Sequence, residues 1–282
     1  MPKSEIAASA EARLKALYPE GGPGRQLKSR LAAREVLVGG MVLEYTRPSL
    51  MKLYQQAGYD FVYIEYEHAY FDMVAFADTV VAARDNGLPV VAKTPQLERQ
   101  EVAKLLECGV VGMQLPRTET REEIETLIDY IKLYPKGSRA SATGYGSSDY
   151  IKPTDRQGWI AGQDAETTLV VHIETRTGYA NAEEIVGTPG VDMVYCGPGD
   201  TSLEFDHPGD WDHPDVLGAM EHVLDLCLQH GVPFGTSVKG HESAARWIGK
   251  GALFFEEASE LDLIRRGAEA IVDGYRTITQ SG

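Results

Sequence analysis

Cysteine is scarce in this chain of 282 residues: there are three, Cys108, Cys196 and Cys227, in no Cys-x-x-Cys or Cys/His grouping. They carry no redox or metal-cluster pattern and read as small buried hydrophobes. Long apolar runs are missing too, and none approaches the roughly 20 residues of a membrane span. The N-terminal Met-Pro-Lys-Ser runs into an Ala/Glu-rich stretch without an apolar core. Neither a membrane segment nor a signal peptide is expected, and a reducing cytoplasm is the default location. Positive charge is in short supply: 27 Lys and Arg face 42 Asp and Glu, a net −15. That balance argues against nucleic acid and anionic membrane as partners, while a bound cation or local Lys/Arg groups still suit a small anionic molecule. There is no internal repeat and no low-complexity tract. What is present is ordinary globular composition, 43% apolar and 24% charged, in a chain long enough for one large barrel or two modest domains.

Apolar runs alternate with helical patterns along most of the length. Strands are expected over 36–42, 60–65, 89–93, 110–115, 168–173, 191–197, 232–236 and 252–256. Helix-like segments cover 5–18 and 26–34, then 47–57, 71–86, 98–107, 119–133, 181–187, 214–230 and 240–249, several ending in glycine before the next strand. Eight continuous Val/Ile/Leu/Phe runs separated by helices argue for a parallel sheet covered on both faces. Eight such units in about 220 residues close naturally into a (β/α)8 TIM barrel, with a doubly wound sheet as the alternative. The expected division is an N-terminal helical extension over 1–35 and a barrel over 36–282. One long loop, 135–167, is rich in Gly, Ser, Tyr and Asp. Loops of that length are commonly lids, and Tyr145, Tyr150 and Trp159 offer it either a closing surface or a way to pack on the barrel.

The informative polar residues stand at strand ends. Leu169-Val170-Val171-His172-Ile173 closes in Glu174, and Val191-Asp192-Met193-Val194-Tyr195-Cys196 closes in Gly197-Pro198-Gly199-Asp200. Carboxylates beside buried strands are costly unless a cation satisfies them. Each has an ordinary reading as a turn or helix cap, but the pair on consecutive strands points to a divalent ion. Two oxygen ligands with open positions suit Mg²⁺, Mn²⁺ or Co²⁺ better than structural zinc. Other strand ends deliver Glu65, Glu67 and His68, then Lys93, Gln114 and Arg117, with Ser237, Lys239, Glu256 and Glu257 later in the chain. His68 has Glu65 three residues earlier, near enough to orient an imidazole and raise its basicity.

Four segments, in order, carry a resemblance: Ala57-Gly58-Tyr59-Asp60-Phe61-Val62-Tyr63-Ile64-Glu65-Tyr66-Glu67-His68, Tyr134-Pro135-Lys136-Gly137-Ser138-Arg139, His172-Ile173-Glu174-Thr175 and Gly197-Pro198-Gly199-Asp200-Thr201-Ser202. Over roughly residues 36–270 the chain resembles the HpcH/HpaI family of metal-dependent 2-oxo acid aldolases. The resemblance implies a modified (β/α)8 barrel, a homo-oligomer (trimer or hexamer) with exchanged C-terminal helices, and a divalent ion held by Glu174 and Asp200. It makes His68 the catalytic histidine and puts Arg139 near the active site. Three positions depart from the family pattern: Glu65 and Glu107 stand where Asp is usual, and Lys93 stands where an arginine grips the pyruvyl oxygens. Lysine is a point charge where arginine is a planar fork, so the exchange bears on substrate choice.

The expected reaction is metal-dependent cleavage or formation of a 4-hydroxy-2-oxo acid, with a pyruvate-type enolate and an aldehyde as partners. His68, oriented by Glu65, handles the C4 hydroxyl proton, and Lys93 and Arg139 neutralise substrate oxygens. Three alternatives stay open at this point. One is decarboxylation of an oxaloacetate-like acid, or a condensation, on the same metal site. Another is a Schiff-base aldolase through Lys93, and the last is a barrel that binds a small oxo acid without turnover.

Overall fold

The computed structural model describes residues 9, 12–19 and 21–280. Part of the helix expected over 5–18 lies outside them, and 12–17 are helical. Eight parallel strands close into a barrel in chain order. They are β1 (Leu37–Val42), β2 (Phe61–Ile64), β3 (Val90–Lys93), β4 (Gly112–Leu115), β5 (Thr168–Ile173), β6 (Met193–Cys196), β7 (Phe234–Thr236) and β8 (Phe254–Ser259). The seam is made by β8 against β1, where a register shift falls between Gly40 and Met41. Closure removes both sheet edges, and this decides for the barrel over the doubly wound sheet. Among the described residues no helix is long and apolar enough to cross a membrane.

Alternation along the strands divides the apolar residues into two clusters. Val62, Ile64, Val90 and Ala92 point outward into the layer between strands and helices. Phe61, Tyr63, Val91, Val170, Met193, Tyr195 and Phe254 fill the interior, with the rings of Phe61 and Phe254 stacked at 4.0 Å. Leu27 and Leu31 of the helix Pro23–Ala32 join that interior cluster, so this helix stoppers the N-terminal end of the barrel. The apolar filling therefore occupies the lower interior and leaves the upper interior, at the C-terminal strand ends, to polar side chains.

Residues 135–167 differ from the expected loop. They contain a 3-10 turn at Gly146–Ser148 and a helix at Arg156–Glu166, N-capped by Asp155. They also lie at the wrong end of the barrel to act as a lid on the strand mouths. The helix Arg121–Ile131 leaves the top of β4 and returns the chain to the bottom, and the helix Arg156–Glu166 then feeds directly into the start of β5. Glu166 ties this segment to the N-terminal one, accepting from the Gly24 N–H at 2.7 Å and standing 3.1 Å from Arg25 Nε.

The C-terminal helix Glu260–Gln280 starts at the top of β8. The buried Glu260 carboxylate accepts the N–H groups of Leu43, Glu44 and Tyr45, just beyond β1, at 2.6 to 3.1 Å. Further along, Ile264, Ile271, Tyr275 and Ile278 are exposed.

Candidate active site

Along β5 the alternation sends Val170, His172 and then Glu174 inward. Glu174 is 1% exposed. Its Oε1 accepts the Arg117 N–H at 2.9 Å. Its Oε2 has no hydrogen-bond partner: His172 Nε2 stands 3.0 Å away but out of line for a bond, and both atoms are buried. Asp200, in the first turn of the helix Pro198–Glu204, faces the same carboxyl. Burial, with Asp200 adding to it, pushes the Glu174 carboxyl up to about 7 against the opposing pull of Lys93 and the Arg117 N–H. Gly197 keeps the space clear, since a Cβ there would come within 2.4 Å of His172 Nε2 and 3.1 Å of Glu174 Oε2. Two facing carboxylates, one with a buried orphan oxygen, form a hard-oxygen donor set that fits a divalent cation.

Lys93, at the end of β3, is buried and reaches across this acidic cluster. Its Nζ is 2.6 Å from Glu67 Oε2 and 3.8 Å from Glu65 Oε2. Burial alone would lower the ammonium pKa, but Glu65, Glu174 and Glu67 outweigh it and the net direction is upward. Glu65 accepts from Tyr63 Oη at 2.9 Å and from the backbone N–H groups of Glu67 and His68 at 2.7 and 3.3 Å. It thus holds the His68 turn by its backbone and does not orient the ring as expected. The His68 side chain is 71% exposed and its Nε2 lies 3.7 Å from Glu67 Oε2. The added methylene of glutamate, together with the close N–H groups of the turn, takes the Glu65 carboxylate away from the imidazole.

Below the acids lies a polar layer. Gln114 Nε2 stands 3.3 Å from His172 Nδ1, and burial, helped by the Lys93 charge, holds His172 well below its ordinary range. Glu256, from β8, is buried; burial pushes its carboxyl up to about 8 although Tyr195, Lys93 and Gln114 oppose this. Tyr195 Oη and Ser237 Oγ are 2.6 Å apart, and Ser237 donates to the Glu256 carbonyl at 2.8 Å. Tyr63 and Tyr195 were missed as site residues because aromatic residues in apolar runs read as core. Their parity with Glu65 and Gly197, two positions on, is the signal that places them inward.

The structure brings together Glu65, Lys93, Glu174 and Asp200, with His68 at their edge through Glu67. It does not bring Arg139 to them. Arg139 follows the helix Arg121–Ile131, is 5% exposed, and reaches Gln163 Oε1 at 3.5 Å at the opposite end of the barrel. It stands apart from the acidic cluster because the helix before it has already carried the chain to the bottom.

A family model described as HpcH/HpaI aldolase/citrate lyase matches residues 40–266. The chain is 27% identical over 251 residues to 5-keto-4-deoxy-D-glucarate aldolase from Shigella dysenteriae serotype 1, covering 89% of this chain and 96% of that relative. Among solved structures it is similar to an HpcH/HpaI aldolase/citrate lyase family protein from Burkholderia cenocepacia J2315, with TM-score 0.82, 27% identity, and coverage of 89% of this chain and 99% of that one. An HpcH/HpaI aldolase from Desulfitobacterium hafniense DCB-2 gives TM-score 0.82 at 25% identity, covering 89% and 96% respectively.

Proposed function

Because this chain belongs to the HpcH/HpaI aldolase/citrate lyase family, we propose that it is a carbon–carbon lyase that holds a divalent cation between Glu174 and Asp200. Its substrates are 4-hydroxy-2-oxo acids, cleaved to or formed from a pyruvate-type enolate and an aldehyde. The observation that carries this reading is the buried Glu174 Oε2, which lacks a hydrogen-bond partner while Asp200 faces it. The cation, Mg²⁺, Mn²⁺ or Co²⁺, supplies Lewis acidity for the carboxylate and 2-oxo oxygens of the substrate.

The remaining work falls to the chain's own residues. Lys93 offers a fixed positive charge to anionic substrate oxygens once Glu67 releases it, as a single point charge and not a two-pronged clamp. His68, on the exposed turn after β2, takes the C4 hydroxyl proton in the cleavage direction and returns it in the forward condensation. Glu65 fixes that turn through the Glu67 and His68 backbone. The Schiff-base alternative needs Lys93 as a neutral amine, and the carboxylates around it hold it as the ammonium.

The exposed apolar side chains of the helix Glu260–Gln280 support a homo-oligomer, trimer or hexamer, in which this helix packs on a neighbouring copy. Three free, buried thiols accord with a cytoplasmic location.

The test is pyruvate release by chelator-stripped protein resupplied with Mg²⁺, Mn²⁺ or Co²⁺. The panel is 5-keto-4-deoxy-D-glucarate, shorter 4-hydroxy-2-oxo acids and oxaloacetate. Turnover of a hydroxy-oxo acid that vanishes in chelator and returns with at least one ion is the expected result. Turnover indifferent to chelator, with borohydride trapping substrate on Lys93, would overturn it.

A further inference from the structure

The N-terminal end of the barrel holds a cavity of about 480 Å³, between the segment that ends in the helix Pro23–Ala32 and the helix Arg156–Glu166. Its lining joins apolar groups such as Val110 and Ile151 to Tyr18, Arg84, Arg139 and Trp159. Arg139 is the anomaly. It is buried, its Nε has no hydrogen-bond partner, and among the described residues its only side-chain hydrogen bond is the long one to Gln163. No carboxylate of the described residues is in ion-pair contact with it; Glu107 and Asp164 act from farther off, and burial still holds the guanidinium down at about 10. Arg84 is also buried. It donates to the Gly109 carbonyl at 3.1 Å and leaves its Nε without a bond, 3.7 Å from Asp149. The Trp159 Nε1–H is a third buried donor without an acceptor. The lining also holds Asp149, beside Arg84, and Glu166, which is held by Gly24 and Arg25 and keeps one buried oxygen without a bond. An unpaired buried guanidinium is strongly unfavourable, and three donors lacking acceptors around a largely apolar cavity describe the complement of an oxyanion on an apolar body.

We propose that this cavity is a second ligand site, distinct from the acidic rim, that binds a small organic oxyanion with Arg139 as its principal contact. The ligand is a carboxylate or a phosphate monoester carried on an aromatic or short aliphatic group. The guanidinium fork takes the oxyanion, Trp159 adds a donor, and the apolar wall takes the body. The site does not depend on the reaction assigned to the rim.

Benzoate and phenyl phosphate, titrated separately into the full-length protein and followed by calorimetry and tryptophan fluorescence, distinguish the two ligand sources. Inorganic phosphate serves as the reference without an apolar body. Saturable binding of either aromatic anion, tighter than inorganic phosphate, is expected. Arg139→Met should weaken it on the order of tenfold or more. If that variant fails to fold, Gly162→Leu decides. Gly162 lines the cavity from a helix, and a Cβ there meets only the flexible end of Arg25 at 3.2 Å, so leucine fills the space and improves the helix. It should remove binding without lowering the melting temperature, whereas Glu174→Ala should leave binding intact. Absence of saturable binding, or binding that survives Gly162→Leu and disappears in Glu174→Ala, would overturn the proposal.

Discussion

The two ends of this barrel hold buried polar atoms of opposite character without hydrogen-bond partners. At the top, Glu174 presents an unpartnered carboxylate oxygen with Asp200 facing it; at the bottom, Arg139 presents an unpartnered guanidinium nitrogen. Between them lie the polar layer of Gln114, His172 and Glu256 and, below it, an apolar filling with Phe61 stacked on Phe254. A chain with a net charge of −15 therefore does not treat all its acids alike. Most are solvated or paired, such as Arg121 with Glu125 or Arg246 with Asp212, whereas Glu174 and Glu256 each keep a buried oxygen without a hydrogen-bond partner. The contrast teaches that burial without a partner singles out a few polar atoms that charge alone does not, because burial without compensation costs stability.

The largest expected effect tests the upper end directly. Glu174→Gln keeps the shape and removes the charge, so turnover should fall on the order of 10³-fold or more, with calorimetric cation binding lost and the melting temperature held or raised. Activity that survives would remove the acidic pair from the chemistry. Next, His68→Ala should lower kcat about 10²- to 10⁴-fold while calorimetry finds cation affinity unchanged, since this exposed ring has only Glu67 as an ion-pair neighbour among the described residues. A parallel loss of cation binding would move His68 into the ligand set.

A smaller effect concerns the layer beneath the rim. The Glu256 carboxyl is raised from 4.5 to about 8. Between those values the folded chain keeps a proton that the unfolded chain has released, so stability falls as pH rises through this window, by at most about 1.4 kcal/mol per pH unit from this group. Urea unfolding at pH 5 and pH 8 should show Glu256→Gln with the flatter dependence; an identical slope in both proteins would mean that Glu256 ionises normally. Smallest in stability is Gly197→Ala. The added methyl intrudes on His172 and Glu174 and should cost about 1–3 kcal/mol, read by thermal unfolding, with a weakened cation affinity that separates it from distant overpacking.

The barrel was legible because parallel strands buried on both faces must be continuous apolar runs, and Val90–Lys93 and Thr168–Ile173 read that way without ambiguity. The place of Glu174 was legible for the same reason, since it directly follows such a run, whereas Asp200 lies four residues past β6, in the first turn of the next helix. The helix Arg156–Glu166 was not, because Gly158 and Gly162 weaken its local preference and its support comes from the distant Gly24 and Arg25. The end of the barrel at which Arg139 lies was not legible, because its motif says nothing about which end the preceding helix has reached. The His68 ring was misassigned a partner because spacing along the chain cannot tell whether Glu65 will bond an imidazole or the backbone N–H groups beside it.

The grip of Glu260 on Leu43, Glu44 and Tyr45 fastens the last helix to the first strand's exit loop. Whatever pulls or steadies that helix from outside also tugs on the staves where the ring is fastened. Its outward stripe of Ile264, Ile271, Tyr275 and Ile278 is thus a handle mounted on the hoop, not a loose tail. Shortening the chain after residue 259 would strip the handle and open the clasp in one cut.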